Sequence, residues 1–197
     1  MSLSPEAAIA GAWLIWLVTW ILAAGWSARV ASHHDLGAES PSRVLTLAAI
    51  VMMLMSYWPV TWGVLWTTPV NVGWALFILV VLGLAFTWGA RLHLGPLWSS
   101  TAAPTEEHRI VDTGPYGIVR HPVYAGVLLA AIATAAERGR IEAVAGALVL
   151  IASLSLRAKV EERFLRRDLG DEAYGSYRAR VPMLIPFAKF ARAASAE

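Results

Sequence analysis

The chain has 197 residues, of which 57% are hydrophobic and only 15% charged, with a formal net charge of +2 and ten Trp. Its mean hydropathy of +0.56 lies well above that of a water-soluble domain, so water is not its main solvent. It contains no Cys, which excludes disulfides, thiolate metal sites and a cysteine nucleophile.

Taken in chain order, the uncharged runs define the elements. Residues 7–28 carry no charge. Glu6 precedes them where a leader peptide would have a basic region, and the run exceeds a usual leader core, so it reads as a membrane span. Residues 44–90 are also uncharged, long enough for two spans, with a turn at Thr67-Thr68-Pro69-Val70-Asn71. Shorter runs occupy 121–136 and 143–156. Spans are expected near 9–28, 44–66, 71–91, 121–137 and 141–158, with Pro59 kinking the second. An all-α, polytopic integral membrane protein of about five transmembrane helices follows, with a short C-terminal cytoplasmic extension that is amphipathic or looped.

Fourteen of the sixteen Lys and Arg fall on one side of this arrangement, and only Arg138 and Arg140 oppose them. The positive-inside rule then puts the N-terminus outside and the C-terminus in the cytoplasm. The last two runs reach only about 21 to 24 Å at 1.5 Å per residue, short of the roughly 30 Å hydrocarbon layer. They are expected to form a tight antiparallel hairpin through Glu137-Arg138-Gly139-Arg140. Gly126, Ala130, Ala133, Gly146 and Ala147 would permit close approach of the two backbones.

Trp13, Trp16, Trp20, Trp26, Trp58, Trp62, Trp66, Trp74 and Trp88 cluster in the first three spans and read as interface and packing residues without chemistry. His33, His34, His93 and His108 read as loop or interface residues whose spacing offers no metal set.

Polar residues converge later in the chain. Gly114-Pro115 makes a rigid turn, and Pro122 suits the first turn of a helix. Arg120 and His121 therefore sit at a helix N-terminus, whose dipole favours an anionic group. At the far end of the next helix, Arg157 and Glu161 share a face and Glu162 lies about 100° away. Two adjacent carboxylates beside a membrane are costly unless a cation meets them. Either neighbouring Arg residues or a ligand's ammonium could do so. Tyr116 and Tyr124 add aromatic faces for a sulfonium or an adenine. S-adenosylmethionine (SAM) matches this inventory, as do many other zwitterions.

These residues resemble the isoprenylcysteine carboxyl methyltransferases and the related membrane phospholipid methyltransferases. The resemblance covers residues 91–187 in order. It comprises R-x-x-L-G-x-x-W (Arg91 to Trp98), G-P-Y-x-x-V-R-H-P-x-Y-x-G (Gly114 to Gly126), R-x-x-x-E-E (Arg157 to Glu162), then Gly170, Tyr174, Tyr177 and R-V-P-x-L-I-P (Arg180 to Pro186). It implies that Tyr116, Val119, Arg120, His121, Tyr124 and Glu162 enclose SAM, with backbone near Val181 to Leu184 closing over the adenosine; by its chemistry Glu161 is the alternative carboxylate for the donor's ammonium. Arg157 and Glu162 are the candidate catalytic residues, Arg157 as the group that orients an anionic acceptor. Residues 1–90 are then N-terminal transmembrane helices, and 91–197 the SAM-binding catalytic region of one integrated domain.

The activity so implied is SAM-dependent carboxyl O-methylation of a lipophilic, isoprenylcysteine-like acceptor at the cytoplasmic membrane face. The partners are membrane lipid and a lipophilic or lipidated substrate, with no metal and no nucleic acid. Three other readings remain open at this point: a phospholipid N-methyltransferase, an NADPH-dependent membrane reductase of sterol-reductase type, and a non-catalytic lipid-binding protein. Tyr174, Tyr177 and Arg180 are expected to hold the tail against the loop before Gly114 or to close the site.

Overall fold

The computed structural model describes residues 3–23, 36–58, 63–95 and 110–188. Trp26, Pro59, Trp62, Trp98, His33, His34 and His108 lie outside them. Seven helices form among the described residues: α1 Pro5–Leu22, α2 Leu36–Met55, α3 Val70–Leu94, α4 Pro115–Ile118, α5 Pro122–Arg138, α6 Ile141–Leu169 and α7 Asp171–Arg180. The described residues contain no strand, only one bridge between Val64 and Arg140.

Local chemistry sets several helix ends. Ser4 caps α1, its hydroxyl accepting the Ala7 N–H at 3.2 Å, and Pro5 opens the first turn. Pro122 opens α5 in the same way, and Gly139 closes it in a left-handed conformation, its N–H returning to the Ala135 carbonyl. Gly170, with φ 85°, separates α6 from α7.

Three helices are long and apolar enough to cross a membrane: Pro5–Leu22, Val70–Leu94 and Ile141–Arg167. Large apolar side chains stay exposed on the outside of the bundle, including Leu14, Ile15 and Leu22 of α1, Leu47 and Leu54 of α2, and Ile78 and Leu82 of α3. A continuous apolar surface of this kind belongs in hydrocarbon rather than water. The chain is a multi-pass membrane protein.

The packing order differs from the chain order. α1 lies along α3, α3 along α5, α5 beside α6, and α6 along α2. The closest approach is between α3 and α5, where Gly83 and Gly126 face each other. A Cβ on Gly126 would stand 2.5 Å from the Gly83 carbonyl oxygen, and one on Gly83 2.6 Å from that of Gly126. Ala130 packs at the same place. Gly146 serves a different contact, with Ala49, Met52 and Met53 of α2.

The expected hairpin seam is therefore corrected. Only Ala147, clustered with Ala135 and Ala143, packs between α5 and α6. Gly126, Ala130 and Ala133 face the α1–α3 side, and Gly146 faces α2. Small residues let any two helices approach closely, so their presence on adjacent spans does not say which helices they join.

Hydrogen bonds inside the bundle reinforce this order. Trp13 donates its indole N–H to Thr134 at 3.0 Å, and Trp16 donates to Thr87 at 2.7 Å, tying α1 to α5 and α3. The Thr46 and Ser153 hydroxyls lie 2.8 Å apart and Ser153 donates to the Ser42 carbonyl at 2.7 Å, tying α2 to α6. Trp20 and Trp88 flank the Arg91 guanidinium, whose carbon lies 4.7 and 5.7 Å from their rings.

The second expected span is also revised. α2 stops at Met55, and residues 63–69 run without helix across the α5–α6 turn. The Leu65 N–H donates to the Gly139 carbonyl at 2.8 Å and the Ile141 N–H to the Gly63 carbonyl at 3.0 Å. The Trp66 indole donates to the Ala136 carbonyl at 2.9 Å. These bonds satisfy backbone groups that would otherwise be orphaned at two helix ends.

Candidate functional site

The opposite end of the bundle gathers the polar residues. Gly114 turns the chain with φ 56°, and a Cβ there would meet the His93 ring at 2.7 Å. His93, in the last turn of α3, bonds the Thr113 hydroxyl at 2.9 Å and lies near-parallel to Tyr116, 6.4 Å between centroids. The single turn α4 ends at Val119, which is extended, and Arg120 and His121 follow directly to the start of α5. Val119 is fully buried.

Arg120, His121 and Glu162 are all at least nine-tenths buried, with relative exposures of 6, 8 and 7%. The Arg120 Nε donates to Glu162 Oε1 at 2.7 Å, and a terminal guanidinium nitrogen lies 2.7 Å from the same oxygen. The other terminal nitrogen donates to the carbonyls of Val181 and Arg178. One buried cation thus joins the α4–α5 turn to α6 and to the end of α7.

His121 sits between both carboxylates. Its Nδ1 lies 3.5 Å from Glu161 Oε2 and its Nε2 lies 3.4 Å from Glu162 Oε1. The second contact is not aligned as a hydrogen bond, which leaves Nε2 a buried polar atom without one. The Tyr124 ring stacks on His121, with planes 3° apart and centroids 5.5 Å apart. The Tyr124 hydroxyl donates to Glu161 Oε1, which also accepts from Arg157 Nε at 3.1 Å. The Arg157 side chain is 27% exposed, the most open among the cluster's charged members.

The segment after α7 covers this cluster. The amides of Arg120 and His121 donate to the carbonyls of Pro182 and Met183 at 2.9 and 3.1 Å. Val181 is buried against Tyr174 and Tyr177. Leu184 packs against a cluster that includes Leu150 and Leu154, and Tyr124 packs against the same cluster. The Tyr177 hydroxyl donates to the Tyr116 carbonyl at 2.7 Å, and Arg180 pairs with Asp112 at 3.0 Å. Burial pushes the phenols of Tyr116, Tyr174 and Tyr177 well above their ordinary value. They remain protonated at neutral pH.

The structure therefore brings together nearly every residue singled out from sequence. Arg120, His121, Tyr124, Arg157, Glu161 and Glu162 form one contiguous set, with Val181 and Leu184 on its cover. Tyr116 lies one turn away and meets the set through Tyr177. Two relationships were not visible beforehand: the capture of Arg120 by the Val181 and Arg178 carbonyls, and the backbone pairing of residues 120–121 with 182–183. Backbone acceptors carry no sequence signal. No group of three or more metal-ligating side chains occurs among the described residues.

Comparisons with known proteins point to one family. The profile of the isoprenylcysteine carboxyl methyltransferase family matches residues 75–167. A probable protein-S-isoprenylcysteine O-methyltransferase of Oryza sativa subsp. indica is 31% identical over 144 residues, which cover 73% of this chain and 70% of the relative. Protein-S-isoprenylcysteine O-methyltransferase B of Arabidopsis thaliana is 36% identical over 83 residues, 42% of each chain. The Schizosaccharomyces pombe protein-S-isoprenylcysteine O-methyltransferase is 33% identical over 108 residues, 53% of this chain and 45% of the relative.

Proposed function

The chain belongs to the isoprenylcysteine carboxyl methyltransferase family, and from that membership we propose that it methylates the carboxylate of a lipophilic, isoprenylcysteine-like acceptor with SAM as donor. It is a membrane methyltransferase; the donor, the acceptor and the residue roles are the proposal. The observation that carries it is the buried set Arg120, His121, Glu161 and Glu162, placed where apolar helices end and covered by residues 181–184.

The residues fit a small zwitterion bearing a flat aromatic group. Glu161 and Glu162, paired with Arg157 and Arg120, supply carboxylate oxygens that an ammonium can share. His121 Nε2, buried and without an aligned partner, is available to a ligand atom. Tyr124 and Tyr116 offer aromatic faces. Val181 to Leu184 supply backbone and apolar cover. SAM, when bound, supplies a methyl group on a sulfonium that is a good leaving group.

A carboxylate acceptor is ionised at neutral pH and is itself the nucleophile, so no general base is required. The protein's contribution is alignment and exclusion of water. Arg157, the least buried charged residue of the set, is placed to pair with the acceptor's carboxylate. Arg120 acts differently, holding Glu162 and the covering segment in position. The acceptor's lipid portion enters laterally between helices, and the donor arrives from the cytoplasm.

Membrane topology extends the same reading. In this proposal α2 and α5 join the three long apolar helices as five crossings, and the Lys and Arg distribution favours a cytoplasmic site and C-terminus.

The test uses membranes carrying the chain, methyl-labelled SAM, and two acceptors supplied separately: S-farnesylcysteine and a phospholipid amine. Label released by mild base from the farnesylcysteine fraction identifies a carboxyl methyl ester and supports the proposal. Base-stable label in phospholipid, or label in neither acceptor, refutes it.

A further inference from the structure

Beyond α7 the chain runs Val181-Pro182-Met183-Leu184-Ile185-Pro186-Phe187, and its two halves face opposite ways. Val181 to Leu184 turn inward, as described above. Ile185 and Phe187 turn outward, with relative exposures of 70 and 90%, and Phe187 is the most exposed of the large hydrophobic residues described. Phe187 has φ 61°, a region that non-glycine residues seldom occupy. The turn is closed by the Ala188 N–H donating to the Ile185 carbonyl at 3.3 Å.

The depth of this turn follows from its inner neighbour. Leu184 packs against the cluster containing Leu150 and Leu154, which belong to the uncharged stretch 143–156 of α6. Arg157 begins the charged part of that helix, and Lys159, Arg163 and Arg167 continue it, all exposed. Ile185 and Phe187 therefore stand where the apolar surface of the bundle gives way to its basic end. Aromatic and aliphatic side chains at such a border partition into the lipid interface.

The backbone is suited to that location. Non-helical chain at membrane depth must not carry unsatisfied donors and acceptors. Pro182 and Pro186 have no N–H, and the carbonyls of Pro182 and Met183 are taken by the Arg120 and His121 amides.

We infer that Ile185 and Phe187 insert into the border of the bilayer as a lipid-anchored clasp, holding the Val181–Leu184 segment closed on the Arg120–His121 turn. The partner is the lipid leaflet itself. The contact requires only that the apolar helices lie in a bilayer. Its effect on the methyl donor rests on the function proposed above, and separate arms of the test address the two.

The chain has no Cys, so single reporters can be introduced into the full protein in lipid nanodiscs. Bimane on Phe187→Cys is compared with bimane on Glu172→Cys, an exposed position on α7. A nitroxide near the headgroup end of the lipid chains is expected to quench position 187 several-fold more than 172, and soluble iodide to do the reverse. Equal lipid quenching at both positions overturns the inference. So does protection of 187 from both quenchers, which would mean that protein covers it.

The second arm measures SAM affinity in nanodiscs. Ile185→Ser combined with Phe187→Ser is expected to raise the dissociation constant several-fold at an unchanged unfolding midpoint, while Ile185→Val with Phe187→Leu keeps the wild-type value. Unchanged affinity in the serine pair, or equal loss in the apolar pair, overturns the clasp. If the unaltered chain binds no SAM, the proposed function fails, and lipid quenching still decides the membrane contact.

Discussion

Arg120 directs two nitrogens to a single oxygen of Glu162, each at 2.7 Å, across 42 residues of chain. The pair is almost fully buried, and a guanidinium left there alone is costly. Glu162→Gln is expected to lower unfolding stability by about 3 to 5 kcal/mol. It should also weaken SAM binding by about tenfold or more. Arg120→Lys keeps the charge but cannot span Glu162 and the Val181 carbonyl together, so it should restore little of either. Denaturation in detergent followed by Trp fluorescence and calorimetric titration with SAM measure the two effects.

Tyr177 meets the site through its hydroxyl bond to the Tyr116 carbonyl and through its packing on Val181. Tyr177→Phe removes that bond and little volume, at a cost of about 1 kcal/mol. The expected signature is a raised KM for SAM with kcat nearly unchanged, because the tyrosine positions Tyr116 and contacts no reacting atom. A fall in kcat at constant KM would assign it a different part.

Gly126 has no room for a side chain beside the Gly83 carbonyl. Gly126→Val is expected to force α3 and α5 apart, at about 1 to 3 kcal/mol or more. Gly11, which has nothing within 4 Å of an added Cβ, serves as control. Gly11→Ala should leave the unfolding midpoint in place or raise it slightly.

The Trp16–Thr87 bond at 2.7 Å lies among apolar helices. Thr87→Val preserves shape and leaves the indole N–H without its partner, for an expected loss of about 0.6 to 1.7 kcal/mol. A double-mutant cycle with Trp16→Phe should show that most of this loss is shared between the two residues.

Much of this architecture can be read from residue order. α3 and α5 begin and end close to the limits given by charge and proline, because a membrane span is bounded by the same groups that bound an uncharged run. Pro122 places Arg120 and His121 correctly for a purely local reason. The start of α6 at Ile141 matches the expected span, but its end and the limits of α2 were not legible. α6 continues past Arg157 to Leu169, since a charge ends a run of hydropathy without ending a helix. Residues 63–66 fall in the uncharged run expected to form the second span, yet their backbone pairs with the α5–α6 turn, a tertiary choice that no local pattern encodes. At the site, side-chain chemistry was foreseeable, but the carbonyls that capture Arg120 were not.

The mismatch between chain order and packing order bears on how the protein is made. α2 leaves the ribosome directly after α1 but rests on α6, whose Ser153 is 107 residues downstream of Thr46 and 111 downstream of Ser42. Until that serine is synthesised, the polar face of α2 lacks its permanent partner in the membrane. Until then its hydroxyls bond within their own helix, as those of Thr19 and Thr134 do, or to water and lipid headgroups. Biogenesis is therefore most exposed to error in the interval between translation of α2 and translation of α6, and a chain halted within it presents the quality-control system with an unburied serine and threonine.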